Sequence, residues 1–225
     1  EGLITLLLER PNLRVASIFS HLAGSDEKEH DAFSLQQGEL FTRIANEISQ
    51  RIGYTPIRHI LNSSGILRFP QLQFDMVRLG IGLYGIDPSS VENRNLNEVA
   101  TLKTIISQIK HVKAGETVGY GRKGVANKDL TTATIAIGYA DGFSRAFGRG
   151  VGKVLINGQL APVIGNVCMD MTMVDITGIP AREGDEVTIF GKDLPIEDVG
   201  RSINTIPYEI LTSTSERVKR VFVAE

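Results

Sequence analysis

Tyr139 closes an apolar run, "TIAIGYADG" (134–142), and is followed at once by Ala-Asp-Gly. A phenol at such a point is either a core ring whose hydroxyl has found a partner or an acid/base held out toward a ligand. The second role requires its pKa, ordinarily about 10, to be lowered by positive charge or by hydrogen bonds to the ionised form. Three other positions carry groups able to act on a small molecule. His21 closes "RVASIFSH", with Asp26 in the loop that follows. Asn62-Ser63-Ser64-Gly65 reads as a strand-to-helix turn, whose hydroxyls and N–H groups can converge on a phosphate. Arg78 lies inside apolar "DMVRLGIGLYG". A two-residue period there places Arg78, Gly80 and Gly82 on one face and Val77, Leu79, Ile81 and Leu83 on the other. A buried arginine needs an acceptor, and neighbouring glycines leave room for a backbone or a ligand. The plainer readings are a structural histidine, a ligand-free serine turn and an edge strand with a solvated arginine.

These groups need elements to position them. "EGLITLLLERPNLRV" reads as the last turns of an amphipathic helix stopped by Pro11, and its lack of an initiator Met reads as a chain cut inside a fold. "RVASIFSHL" (14–22) is expected to be a buried strand. A helix follows, capped by Ser25 or Asp26, with Phe33, Leu40, Phe41, Ile44 and Ile48 as its apolar stripe. "IRHILNSSG" (57–65) and "DMVRLGIGLYGI" (75–86) are the next strands, which is the grammar of parallel β/α units. An open doubly wound sheet and part of a (β/α)8 barrel both fit. Beyond the polar segment 87–99 the chain turns strand-rich: "LKTIISQIKHV", "TTATIAIGY", "KVLINGQLAPVIG" with a hairpin at "INGQ", "MTMVDIT" and "DEVTIFG". One or two short helices and a final strand are expected after that. "NVCMDMTMVDI" (166–176) alternates as a half-buried strand, and Asp170 and Asp175, without a histidine cluster, make no metal site.

Of 225 residues 42% are hydrophobic, enough for one large core or two modest ones. The net charge of -2 gives no electrostatic case for nucleic acid or an anionic membrane surface. The single cysteine, Cys168, excludes an internal disulfide and favours a reducing, cytoplasmic compartment. No apolar stretch approaches the roughly 18 residues of a membrane span.

Taken in order, "SHLAGSDE", "ILNSSGIL", "DMVRLGIGLYGI", "AIGYADGFSR", "GNVCMDMTMVDI" and "NTIPYEILTSTSERVKRVF" resemble the alanine racemase family across nearly the whole chain. The resemblance implies a fold of class α/β plus mainly β: residues 1–92 as the last three β/α units of a (β/α)8 barrel that binds pyridoxal 5'-phosphate (PLP), and 93–225 as a C-terminal β domain. It implies a head-to-tail homodimer interconverting L- and D-alanine for peptidoglycan. By matching motif, Tyr139 is expected to be the catalytic tyrosine, acting in the partner's site. Arg78 is expected to bond the pyridine nitrogen, and His21 to stand between Arg78 and Tyr139. Ser63, Gly80, Ile81 and Tyr208 match phosphate-binding positions, Met169 a backbone contact to the substrate carboxylate, and Asp26 an outer residue of the access passage. Racemisation removes a proton from one face of the α-carbon and returns one to the other, so two bases are required, here a Schiff-base lysine and Tyr139.

Two departures stand out. Of nine lysines only Lys28 lies in the first part, and it matches no catalytic position, so this stretch alone is expected to be inactive. Asn166 stands where an arginine is frequent in the family. A serine or broad-specificity racemase of the same fold, and a non-catalytic dimerisation module, are the alternatives.

Overall fold

The computed structural model of the chain describes residues 2–89 and 96–223. It divides into two compact units, Glu1–Val99 and Ala100–Glu225. The expected boundary at 92/93 lies outside the described residues.

In the first unit, helix α1 (Gly2–Leu8) precedes a short strand β1 (Ser17–Phe19), helix α2 (Asp31–Ile52), strand β2 (Ile57–His59) and helix α3 (Ser63–Arg68). β1 and β2 pair in parallel, Ser17 opposite Ile57 and Phe19 opposite His59, as expected of a β/α unit. The core joins Leu22, Phe41, Ala45, Ile60, Leu61, Phe69 and Leu72, with Ile18 and Val77 against it.

Several expectations are corrected here. α2 buries Ser34, Gly38, Phe41 and Ala45, whereas Phe33, Leu40 and Ile44 of the expected stripe are exposed. The reason is close packing: a Cβ on Gly38 would lie 2.6 Å from a Leu72 methyl, so the helix turns its small residues inward. His30, not Ser25 or Asp26, occupies the N-cap, without a side-chain bond. Ser25 is buried and donates to Asn62 Oδ1 instead (2.8 Å). β1 is not buried, since Phe19 is 67% exposed. The segment 75–86 is no strand: Arg78 N–H reaches Leu61 O (3.0 Å), but the chain then tightens into a 3-10 turn at Ile81–Tyr84. Alternation fails there too, with Ile81 buried and Leu79 and Leu83 exposed.

The second unit is a six-stranded antiparallel sheet of order β8-β7-β10-β3-β6-β9. Its strands are β3 (Leu102–Val112), β6 (Leu130–Ile135), β7 (Lys153–Ile156), β8 (Gln159–Pro162), β9 (Thr172–Asp175) and β10 (Glu186–Phe190), and a hairpin of β4 (Thr117–Val118) with β5 (Gly124–Val125) follows β3. Val163 bridges to Val174 and Ile164 N–H bonds Met173 O (2.8 Å), so the two outer strands meet and the sheet closes on itself. Ile106, Ala133, Ile135, Val154, Ile156, Val174 and Val187 fill the interior. The expected turn between β7 and β8 is present at Asn157-Gly158, both with positive φ (47° and 76°). Helices α4 (Ile196–Ser202) and α5 (Pro207–Ser213) follow, but no final strand forms among the described residues. Residues 166–171 are loop, and only 172–175 of the expected strand 166–176 pair.

Candidate functional site

In the first unit Arg78 is the hub. Its Nη1 donates to His59 Nδ1 (2.7 Å) and its Nη2 to Ser20 O (2.7 Å) and His21 Nδ1 (3.1 Å). Arginine has donors only, so both Nδ1 atoms accept and each imidazole in these contacts carries its proton on Nε2. His59 is buried, its ring stacked on Phe19 with centroids 5.3 Å apart. Burial first, and the Arg78 charge second, push its pKa below the ordinary histidine value. Arg78 Nε–H has no partner among the described residues, which leaves one fixed donor for a ligand atom. His59 was not among the expected site residues; the one signal for it was that a buried arginine needs an acceptor.

Beside this hub, Ser63 is buried at the start of α3, behind the Asn62 cap whose Oδ1 accepts from Gly65 N–H (2.9 Å). Its Oγ accepts from the N–H groups of Gly80 (3.0 Å) and Gly82 (3.2 Å). With both lone pairs engaged, the hydroxyl keeps its proton as a donor, the property needed to bind an anion. Ile81 is buried, so only its backbone can serve a ligand; Asp26 is exposed.

In the second unit Tyr139 opens a 3-10 turn, Tyr139–Asp141, past the end of β6. Tyr139 N–H bonds Cys168 O and Ala140 N–H bonds Met169 O (both 3.0 Å), docking the turn on the Cys168-Met169-Asp170 loop. Only glycine permits this approach: a Cβ on Gly138 would lie 2.4 Å from both carbonyl oxygens. Asp141 Oδ2 accepts from Gly138 N–H (2.9 Å), and Arg217 joins Asp141 (3.1 Å) to Asp170 (2.6 Å). Tyr139 and Met169 therefore line one cavity, together with Arg145, Asn166 and a second tyrosine, Tyr120. Tyr120 sits at the tip of the β4–β5 hairpin and was missed; its signal was the flanking glycines of "VGYGR", which mark a presented turn. Tyr208 lies on α5 of this unit, partly exposed.

A parallel β/α unit followed by a closed β barrel, with polar groups gathered at strand ends and turns, defines a two-domain chain of the kind that houses small-molecule chemistry. The N-terminal and C-terminal domain models of alanine racemase match residues 1–88 and 99–222. The chain belongs to the alanine racemase family. It is 38% identical over 227 residues to the alanine racemase of Clostridium tetani and 41% identical over 222 residues to alanine racemase 1 of Clostridium acetobutylicum. Those matches cover 97% and 94% of this chain but 58% and 56% of the relatives. Among solved structures, the Bartonella henselae alanine racemase with covalently bound pyridoxal phosphate superposes with a TM-score of 0.86 at 33% identity, over 99% of this chain and 62% of that one. The Bacillus anthracis enzyme with bound L-Ala-P gives 0.88 at 31% identity, over 99% and 59%.

Proposed function

We propose that this chain forms part of a PLP-dependent alanine racemase, a cytoplasmic homodimer interconverting L- and D-alanine for the cell wall. On this reading residues up to about 92 are the closing β/α units of its barrel. The observation that carries it is Arg78, a permanently charged donor clamped by two histidines and a carbonyl, with Nε–H left over. That donor suits a pyridine nitrogen, and Arg78 resists giving its proton away. The proton-bearing hydroxyl of Ser63, with the Ile81 backbone N–H beside it, suits a phosphate. Bound there, the cofactor supplies an electron-accepting ring that acidifies the α-C–H of an amino acid. Met169 N–H, without a partner among the described residues, is the substrate carboxylate donor on this reading.

The second base is a tyrosine of the β-unit cavity. The family motif assigned Tyr139. Tyr120, on the hairpin tip, lines the same cavity and serves as the comparison. The test is α-proton exchange of each alanine enantiomer in deuterated water, with the holoenzyme and its Tyr120→Phe and Tyr139→Phe variants. Loss of the base lowers exchange from one enantiomer by about 10²–10⁴ and spares the other. The reading fails if neither variant discriminates between enantiomers, and the alanine assignment fails if serine and lysine turn over as fast.

A further inference from the structure

We propose that Ser25 is a positioning residue that sets the spacing between the Arg78 hub and the Ser63 hydroxyl, so that one ligand can engage both. The proposal rests on the reading that a phosphorylated pyridine is held there.

Ser25 touches both ends of one helix. Its hydroxyl is fully buried and donates to Asn62 Oδ1 (2.8 Å), the atom that caps the start of α3 by accepting from Gly65 N–H (2.9 Å). Its carbonyl accepts from Nη1 of Arg68 (2.7 Å), the last residue of α3. Arg68 is tied in turn to Asp31 at the start of α2. The direction of the first bond is forced. Gly65 N–H can only donate, so the atom it meets is the Asn62 oxygen, and the Ser25 hydroxyl must give its proton to that oxygen. A hydroxyl cut off from water is costly unless it is bonded, so packing alone favours an apolar side chain at this position.

The other half of the loop is held by α2. Gln37 Oε1 accepts from Ala23 N–H (3.0 Å), and its Nε2 donates to His21 O (3.3 Å). His21 then offers Nδ1 to Arg78 Nη2 (3.1 Å). A closed ring of contacts results. It runs from Arg78 through His21 and the loop to Ser25, Asn62 and Ser63, and returns through the N–H groups of Gly80 and Gly82 on Ser63 Oγ (3.0 and 3.2 Å). The return path is the softer one, because glycine leaves the backbone free to bend. A pair of binding groups is held to within about 0.5 Å only when the side chains behind them are locked, and here the loop supplies the lock. Arg78 Nε–H and the Ser63 hydroxyl thus stand as two donors at a set separation, which selects a ligand with an acceptor at each end.

The test uses the whole enzyme freed of its cofactor, titrated by absorbance with PLP and with pyridoxal, which lacks the phosphate. In Ser25→Ala the Kd for PLP should rise about three- to ten-fold, the effect of one lost hydrogen bond. The Kd for pyridoxal should change by less than about two-fold, because only a ligand that spans both donors senses their separation. Amide hydrogen exchange, followed by mass spectrometry, should rise in segments 21–26 and 62–66 of the same variant. Should Ser25→Ala fold poorly, Gln37→Met, at a half-buried position, carries the same comparison with the same sign. Equal loss of affinity for PLP and pyridoxal overturns the proposal, since a merely structural residue would weaken both. Unchanged PLP affinity in both variants overturns it as well. If Arg78→Lys and Ser63→Ala both bind PLP as wild type does, the functional reading fails, while amide exchange at 21–26 and 62–66 still decides whether Ser25 seats the loop.

Discussion

Arg78 Nη1 lies 2.7 Å from Nδ1 of His59, so the guanidinium holds a buried imidazole in its neutral form. Burial and the Arg78 charge both lower the His59 pKa. The unfolded chain therefore binds a proton more readily than the folded one. Stability from His59 is fully present above about pH 6.5 and is lost as pH falls through the lower, folded value. Urea midpoints measured between pH 7.5 and 5 should decline in wild type and decline less in His59→Gln, whose amide oxygen still accepts from Arg78 but does not titrate. Parallel curves for the two proteins would contradict this.

Ser63→Ala should leave the N–H groups of Gly80 and Gly82 without their shared acceptor. A loss of about 1–3 kcal/mol in chemical unfolding is expected. Weaker PLP binding, read by absorbance titration, should accompany it, and retained affinity would remove Ser63 from the phosphate site.

Gly138→Ala should separate the Tyr139 turn from the Cys168-Met169 loop, because the new methyl meets two carbonyl oxygens at 2.4 Å. The expected cost is about 3 kcal/mol or more. A thermal midpoint within two degrees of wild type would show that the two loops do not touch as described.

Arg217→Gln removes the bridge between Asp141 and Asp170. The bridge is half exposed, so the stability change should stay under about 1 kcal/mol and shrink further in high salt. The larger effect should fall on KM for alanine, since Asp170 adjoins Met169 and Asp141 caps the Tyr139 turn. A change in stability without any change in KM would make Arg217 purely structural.

Much of the β unit was legible because its signals are local. Alternating apolar residues gave β3, β6, β7, β9 and β10, and Asn157-Gly158 gave the hairpin turn. The first unit was less so. "DMVRLGIGLYGI" has strand composition, yet its three glycines let it leave the sheet after Arg78 and coil into a 3-10 turn around Ser63. In α2, size rather than hydrophobicity chose the buried face, because Leu72 needs the space at Gly38.

The sequence by itself determined the family and the two-part organisation, and it named Arg78, His21, Ser63, Tyr139 and Met169 as candidates. Only the tertiary structure decided which of them meet and by what means. His59 became the acceptor of Arg78 because β1 and β2 pair in register, Phe19 opposite His59, beside the segment that carries the arginine. Tyr120 joined Tyr139 in one cavity because a two-residue-stranded hairpin lies against the segment at Gly165 and Asn166. Both are contacts between segments far apart in the chain, set by register and backbone approach, which no local pattern of residues encodes.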